Sequence, residues 1–272
     1  MASASPTRLI ICAHEFGLSA GICHAILDLI DMRRVSAVAV LATGTQWRVQ
    51  GPALMAQHDA AGIGLMLEPG CARSPLAAVS YLLRTPRAEL ARDFARQIAA
   101  FHDVAGRAPD FITGRFGFHS WPMGRGALFL ALERLQIAGL WLCDPTERAG
   151  AIMRRGRAKW QAGAASALAT GFRHQASRRG YPVNRGFSGF VQNTKTYPVW
   201  HDFERFCQYP GPAPMVTCRP GYPDDAIAQT DRIADRRMRE LMYLSSTRFA
   251  DMLELLKLRL VRDPREAYIA NA

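Results

Sequence analysis

Residues 8–21, RLIICAHEFGLSAG, read as one strand–turn–helix unit. Residues 9–13 form an unbroken apolar run, the pattern of a strand buried on both faces in a parallel sheet. The run stops at His14 and Glu15, and Phe16 and Gly17 make a turn. Ser19 is placed to cap the following helix, because its hydroxyl can accept an otherwise orphaned backbone N–H. Two titratable side chains at the end of a buried strand are costly unless they are paired or used.

Working outward, the same unit recurs. Apolar runs at 9–13, 37–42, 62–67, 110–113, 139–143 and 215–218 predict strands. Helical periodicity covers 20–32, 47–61, 87–105, 125–135, 157–178, 226–244 and 247–258. Pro86 ahead of Arg87 and Glu89 marks a helix start, and Gly180, Tyr181 and Pro182 mark a stop. This alternation predicts an α/β fold, a distorted (β/α) TIM-like barrel with mainly parallel strands. No linker divides the chain, so residues 1–272 read as a single domain, with an irregular, loop-rich segment at 186–214.

The hydrophobic share of 49% and charged share of 21% describe a globular chain rather than a disordered one. No apolar run reaches the roughly 18 residues of a membrane helix, and the first residues are polar, so the expected location is the cytoplasm. The six cysteines form no CxxC pair and read as buried, reduced thiols. The net charge of +11 concentrates in clusters at 154–160, 172–180 and 231–240. Such an excess suits an anionic partner: an acidic protein, a phosphorylated ligand, a membrane surface or nucleic acid. No nucleic-acid motif accompanies it. The plainer reading is a solvated, arginine-rich surface.

In a parallel barrel, function gathers where the strands end. The strand ends here offer His14 and Glu15, then Met66 and Glu68, then Thr113, Arg115 and His119. Asp144 and Glu147 follow one later strand, and Cys218, Arg219 and Asp224 follow another. Trp121, two residues after His119, is the candidate sugar-stacking surface. Arg219 beside Cys218 is the kind of neighbour that lowers a thiol pKa.

These segments resemble the YdjC/ChbG-like carbohydrate deacetylases, a group that includes the hopanoid-biosynthesis deacetylases. The resemblance lies in the order AxxFGLSxG, GxGLxLxxG, GRxPDF, a motif ending HxxP, xPGxxDD and a closing Arg-x-x-Glu-Leu, and it runs from about residue 8 to about residue 260. It implies a distorted barrel that removes N-acetyl groups from sugars with one divalent metal. The family's ADDFG supplies a base and a metal ligand, and two histidines complete the metal site. A late HPG histidine assists as acid.

This chain departs at those positions. His14 stands at the base position and Glu15 at the ligand position, while Met66 and Arg115 replace the two ligand histidines. Arg219 replaces the acid, and the last histidine of the central motif survives as His119. A thioether is a poor ligand for Mg²⁺ or Zn²⁺, and a guanidinium offers no lone pair. The expectation is therefore a homologue that has lost its metal site, with no cofactor, acting as a binding or interaction protein for an anionic or sugar-like ligand at Arg115, Arg219, Trp121 and Met66. An Arg115–Glu15 ion pair would stand in for the cation. One alternative is an active hydrolase on an acetylated amino sugar or glycolipid, with Mg or Zn rebuilt on His14, Glu15 and His119. Another is an accessory subunit docked on an acidic protein through its basic surface.

Overall fold

The computed structural model describes residues 6–70, 74–192, 197–208 and 210–269. Strand β1 (Thr7–Phe16) leads to α1 (Ala20–Asp31), β2 (Ala37–Val40), α2 (Trp47–Met55), β3 (Gly62–Leu67), α3 (Pro75–Arg84), α4 (Arg87–Ala105) and β4 (Phe111–Gly114). A 3-10 turn (Arg115–Ser120) precedes α5 (Pro122–Arg134) and β5 (Trp141–Leu142). The second half contains α6 (Ala149–Arg154), α7 (Lys159–Leu168), α8 (Phe172–Ser177), β6 (Phe187–Ser188), α9 (Val199–Gln208) and β7 (Met215–Cys218). It closes with α10 (Ala234–Ser245), α11 (Thr247–Leu255), β8 (Leu258–Leu260) and α12 (Pro264–Ile269).

The sheet order is β5-β4-β3-β2-β1-β7-β6, every ladder between these strands is parallel, and β8 pairs with the first residues of β1. The sheet curls until its two ends almost meet. Leu142 N–H donates to the Pro182 carbonyl at 2.9 Å. The buried Asn184 amide accepts from Asp144 N–H at 2.7 Å and donates to the Asp144 and Gly186 carbonyls. This side chain staples the seam between β5 and β6. The result is a distorted, incomplete (β/α) barrel.

Strand alternation divides the core into two layers. Ile10, Cys12, Ala39, Met66, Phe111, Trp141 and Met215 point inward, and Phe111 stacks on Trp141 at 4.5 Å. Leu9, Ile11, Ala13, Val38 and Leu65 point outward and pack with the helices. Both faces are apolar, which is why β1 reads as a continuous hydrophobic run rather than an alternating one.

Several element bounds differ from the sequence expectation. The helix expected at 47–61 ends at Met55, soon after Pro52, which lacks the N–H a helix interior needs. The expected helix 157–178 is broken by Gly171, at φ +81°, into α7 and α8. The helix expected from 226 starts only at Ala234, after a run of turns. The segment 186–214 contains β6 and α9, and Cys71 lies outside the described residues. Helices α3, α6 and α12 and strand β8 are short elements that the periodicity did not separate from loops. Ser19 accepts from Ile22 N–H as a cap, and α4 begins at Arg87 after Pro86. Among the described residues, no helix is long and apolar enough to cross a membrane.

Candidate functional site

At the end of β1 the register with β2 shifts between His14 and Phe16, a bulge in which Glu15 takes φ +72°. A non-glycine residue in this left-handed region costs about 1–3 kcal/mol unless its surroundings hold it there. Gly17, at φ +98°, completes the turn, and a Cβ there would sit 2.8 Å from the Leu41 carbonyl oxygen. The bulge re-aims the Glu15 side chain, which guanidinium groups grip from two sides. Arg115 Nη2 donates to Oε1 at 3.2 Å, and Arg237 Nη2 donates to Oε2.

The grip extends in both directions. Arg115 Nη1 donates to Glu68 Oε1 at 2.8 Å, and the Thr43 hydroxyl donates to Glu68 Oε2. Arg237 Nε donates to Asp231 Oδ2 at 2.6 Å. The chain Asp231–Arg237–Glu15–Arg115–Glu68 thus joins α10 to the ends of β1, β3 and β4. Burial alone would raise the Glu15 pKa, but Arg237 first, then Arg115 and Arg219, hold it at about 2.

His14 follows Ile10 and Cys12 on the inward face, is buried, and has no partner at Nε2. Burial, and then the charge of Arg219, push its pKa down to about 3, so the ring is neutral at physiological pH. Arg219 is half-buried and makes no ion pair from its guanidinium to a described residue, while its backbone N–H donates to Glu240 Oε2 at 2.6 Å. Glu240 also accepts from Arg236 Nε at 2.6 Å, and Arg236 Nη2 reaches Asp202 at 2.9 Å. Arg237 keeps one buried donor, Nη1, with no partner.

The structure therefore brings together Glu15, Arg115 and, beside them, Arg219 and His14. Met66 is buried in the inner layer. His119 is fully buried, its Nε2 lies 2.6 Å from the Cys143 carbonyl, and it packs edge-on against Phe172. Burial lowers its pKa to about 4. Trp121 is buried in the outer core layer rather than presented as a stacking surface. Burial, helped by Glu240, raises the Cys218 thiol well above its ordinary pKa despite Arg219. The five described cysteines are buried and free. Asp224 accepts from Gly21 N–H at 2.8 Å and ties the loop after β7 to the start of α1.

Arg237 is the site residue that reading by charge missed. The cluster at 231–240 reads as a solvated face, yet Arg236, Arg237 and Glu240 are buried. Arg237 and Glu240 are the Arg and Glu of the Arg-x-x-Glu-Leu pattern, which was the available signal.

A catalytic divalent metal does not fit these residues. Both Glu15 oxygens are taken by guanidinium groups, Met66 offers only a soft sulfur, and Arg115 has no lone pair to donate. Among the described residues, no cluster of three His, Cys, Asp or Glu side chains is placed to hold a metal. A cavity of about 460 Å³ lies at the opposite end of the barrel, near the starts of β3, β4 and β5, between Arg107, Asp110, Arg262 and Glu266.

Comparison with known proteins supports the architecture. A structure of a proposed cellobiose-phosphate cleavage protein from Enterococcus faecalis V583 superposes with a TM-score of 0.69 at 15% identity, covering 95% of this chain and 98% of that one. A family 4 carbohydrate esterase from Streptomyces lividans in complex with acetate gives a TM-score of 0.50 at 11% identity, covering 96% of each chain. A T48 deacetylase with substrate gives 0.51 at 10% identity, covering 97% of this chain and 92% of that one. At these identities the likeness concerns the fold. Comparison with curated protein sequences gives no match. Residues 8–255 match the family described as YdjC-like protein, and the chain belongs to that family.

Proposed function

We propose that this chain is a metal-free binding protein built on the carbohydrate-deacetylase fold, in which guanidinium groups have taken the place of the catalytic cation. The observation that carries this reading is the double grip of Arg115 and Arg237 on Glu15, which leaves neither carboxylate oxygen to a metal. A guanidinium supplies positive charge without Lewis acidity, so it balances the buried carboxylate but does not activate water. The ligand we assign is small and anionic or sugar-like. Unpaired Arg219 and the partnerless donor Arg237 Nη1 support an anionic group, with the neutral His14 Nε2 as a further polar contact. The free, buried cysteines suit the reducing cytoplasm, where we place the protein.

The test is metal analysis of protein purified without chelators, together with acetate release from acetylated chito-oligosaccharides. The expected result is metal far below one equivalent and no acetate. Stoichiometric metal, with acetate release abolished in Glu15→Ala, would overturn the proposal. A second measurement uses the double variant Met66→His/Arg115→His. It removes one guanidinium from Glu15 and adds two imidazoles, so it should gain Zn²⁺ affinity by calorimetry where the wild type shows none. Zn²⁺ binding by the wild type as tight as by the variant would also overturn the reading.

A further inference from the structure

Between Glu147 and Asp202 the sequence carries ten Arg and Lys residues and no Asp or Glu. Residues 69–88 likewise contain no acidic residue. Both stretches leave strand ends on the mouth side of the barrel: the first follows β5, the second follows β3. Helices α3 and α7 both pack on the 3-10 turn after β4, which ties the two stretches into one rim.

These two stretches also carry the largest exposed apolar side chains of their segments. Trp160 is 90% exposed, Leu76 83%, Met153 76% and Leu83 69%. On α3, Leu76, Val79 and Leu83 recur at helical spacing on the face turned away from the buried Ala78 and Leu82. Around Met153 and Trp160 stand Arg148, Arg157 and Lys159, with Arg84 and Arg87 at the end of α3 and start of α4. A merely solvated basic surface gives no reason to expose tryptophan, methionine and leucine among its arginines. Bulky apolar side chains interleaved with Arg and Lys, with Glu89 and Asp93 of α4 as the neighbouring acids, are the composition of a surface that settles into an anionic lipid interface.

We propose that this rim is a peripheral membrane-docking surface, selective for bilayers that carry anionic headgroups, and that it turns the barrel mouth toward the lipid. Arg and Lys attract the negative surface, and Trp160, Met153, Leu76 and Leu83 enter the headgroup region. The assignment is independent of whether Glu15 binds a metal. Lipid is favoured over an acidic protein because the apolar side chains are scattered over separate short helices rather than gathered in one groove.

The experiment is co-sedimentation of the full chain with vesicles of phosphatidylcholine alone and of equimolar phosphatidylcholine and phosphatidylglycerol. Binding is expected only to the anionic vesicles, with a blue shift of tryptophan emission that Trp160→Phe removes. All substituted positions are exposed, so the variant Leu83→Ser/Trp160→Ser should keep the wild-type circular dichroism and Tm yet lose at least about tenfold in partitioning. Three outcomes would overturn the proposal. They are no sedimentation with anionic vesicles, equal sedimentation of variant and wild type, and binding to soluble polyglutamate without binding to vesicles. The last would assign the rim to an acidic protein.

Discussion

Glu15 carries much of the consequence of this site. Its side chain is buried between two guanidinium groups, so Glu15→Gln removes the carboxylate they share and leaves Arg237 with Asp231 alone and Arg115 with Glu68 alone. The expected cost at neutral pH is about 3 kcal/mol, read from urea unfolding. The pH dependence has a definite sign. The folded-state pKa of about 2 lies below the ordinary 4.5, so the stabilisation is complete above 4.5 and disappears as the pH falls toward 2. The gap between wild type and Glu15→Gln should therefore narrow over that window, and a constant gap would show that Glu15 is not held by charge. At the ligand end of the site, Arg219→Gln removes the unpaired guanidinium without breaking an ion pair. It should leave Tm within a degree or two and weaken binding of a hexosamine phosphate by about tenfold in calorimetry.

At the scale of elements, one side chain reinforces the barrel seam beside the Leu142–Pro182 backbone bond. Asn184 makes two buried hydrogen bonds to Asp144 across the gap between β5 and the chain before β6, and a third to Gly186 on its own side. Asn184→Ala leaves Asp144 N–H and two carbonyls without that partner, an expected loss of about 2–4 kcal/mol. Hydrogen exchange should quicken first at Leu142 and Asp144, and uniform quickening across the sheet would argue against a local seam. The sequence made most strands and the long helices legible because apolar runs such as 9–13 and the periodic 87–105 state their environment directly. Short elements such as α6 and β8 carry fewer than two turns or four residues of pattern, too little for a period to show. The Glu15–Arg115 pair was foreseeable because both residues stand at strand ends. The Arg237–Glu15 contact joins positions far apart in the chain, and only the packing of α10 against the barrel reveals it. His119 could be placed after β4, but its burial against Phe172 depends on how α8 packs, which the helical periodicity of 157–178 does not fix.

At the scale of the molecule, two layers of apolar side chains and a network of guanidinium–carboxylate pairs hold the barrel, and the proposal above assigns no part of that stability to a metal. Exhaustive treatment with a chelator should therefore leave Tm unchanged in differential scanning calorimetry. A fall of several degrees, restored by added Zn²⁺ or Mn²⁺, would reveal a structural cation. The fold class could be read from the order of elements. The basic clusters could be read as well, but not that Arg236 and Arg237 of the cluster at 231–240 turn inward to buried carboxylates.

The acid-free span between Glu147 and Asp202 has a consequence beyond contact. Arg155 and Arg173 of this span are answered by Glu147 and Asp144, while Arg148 and Lys159 stand exposed in the same stretch as Trp160. An extended anionic surface attracts such exposed charges over about a Debye length, before any contact is made. On the docking proposed above, the approach is steered by charge before Trp160 or Leu83 meets the headgroups.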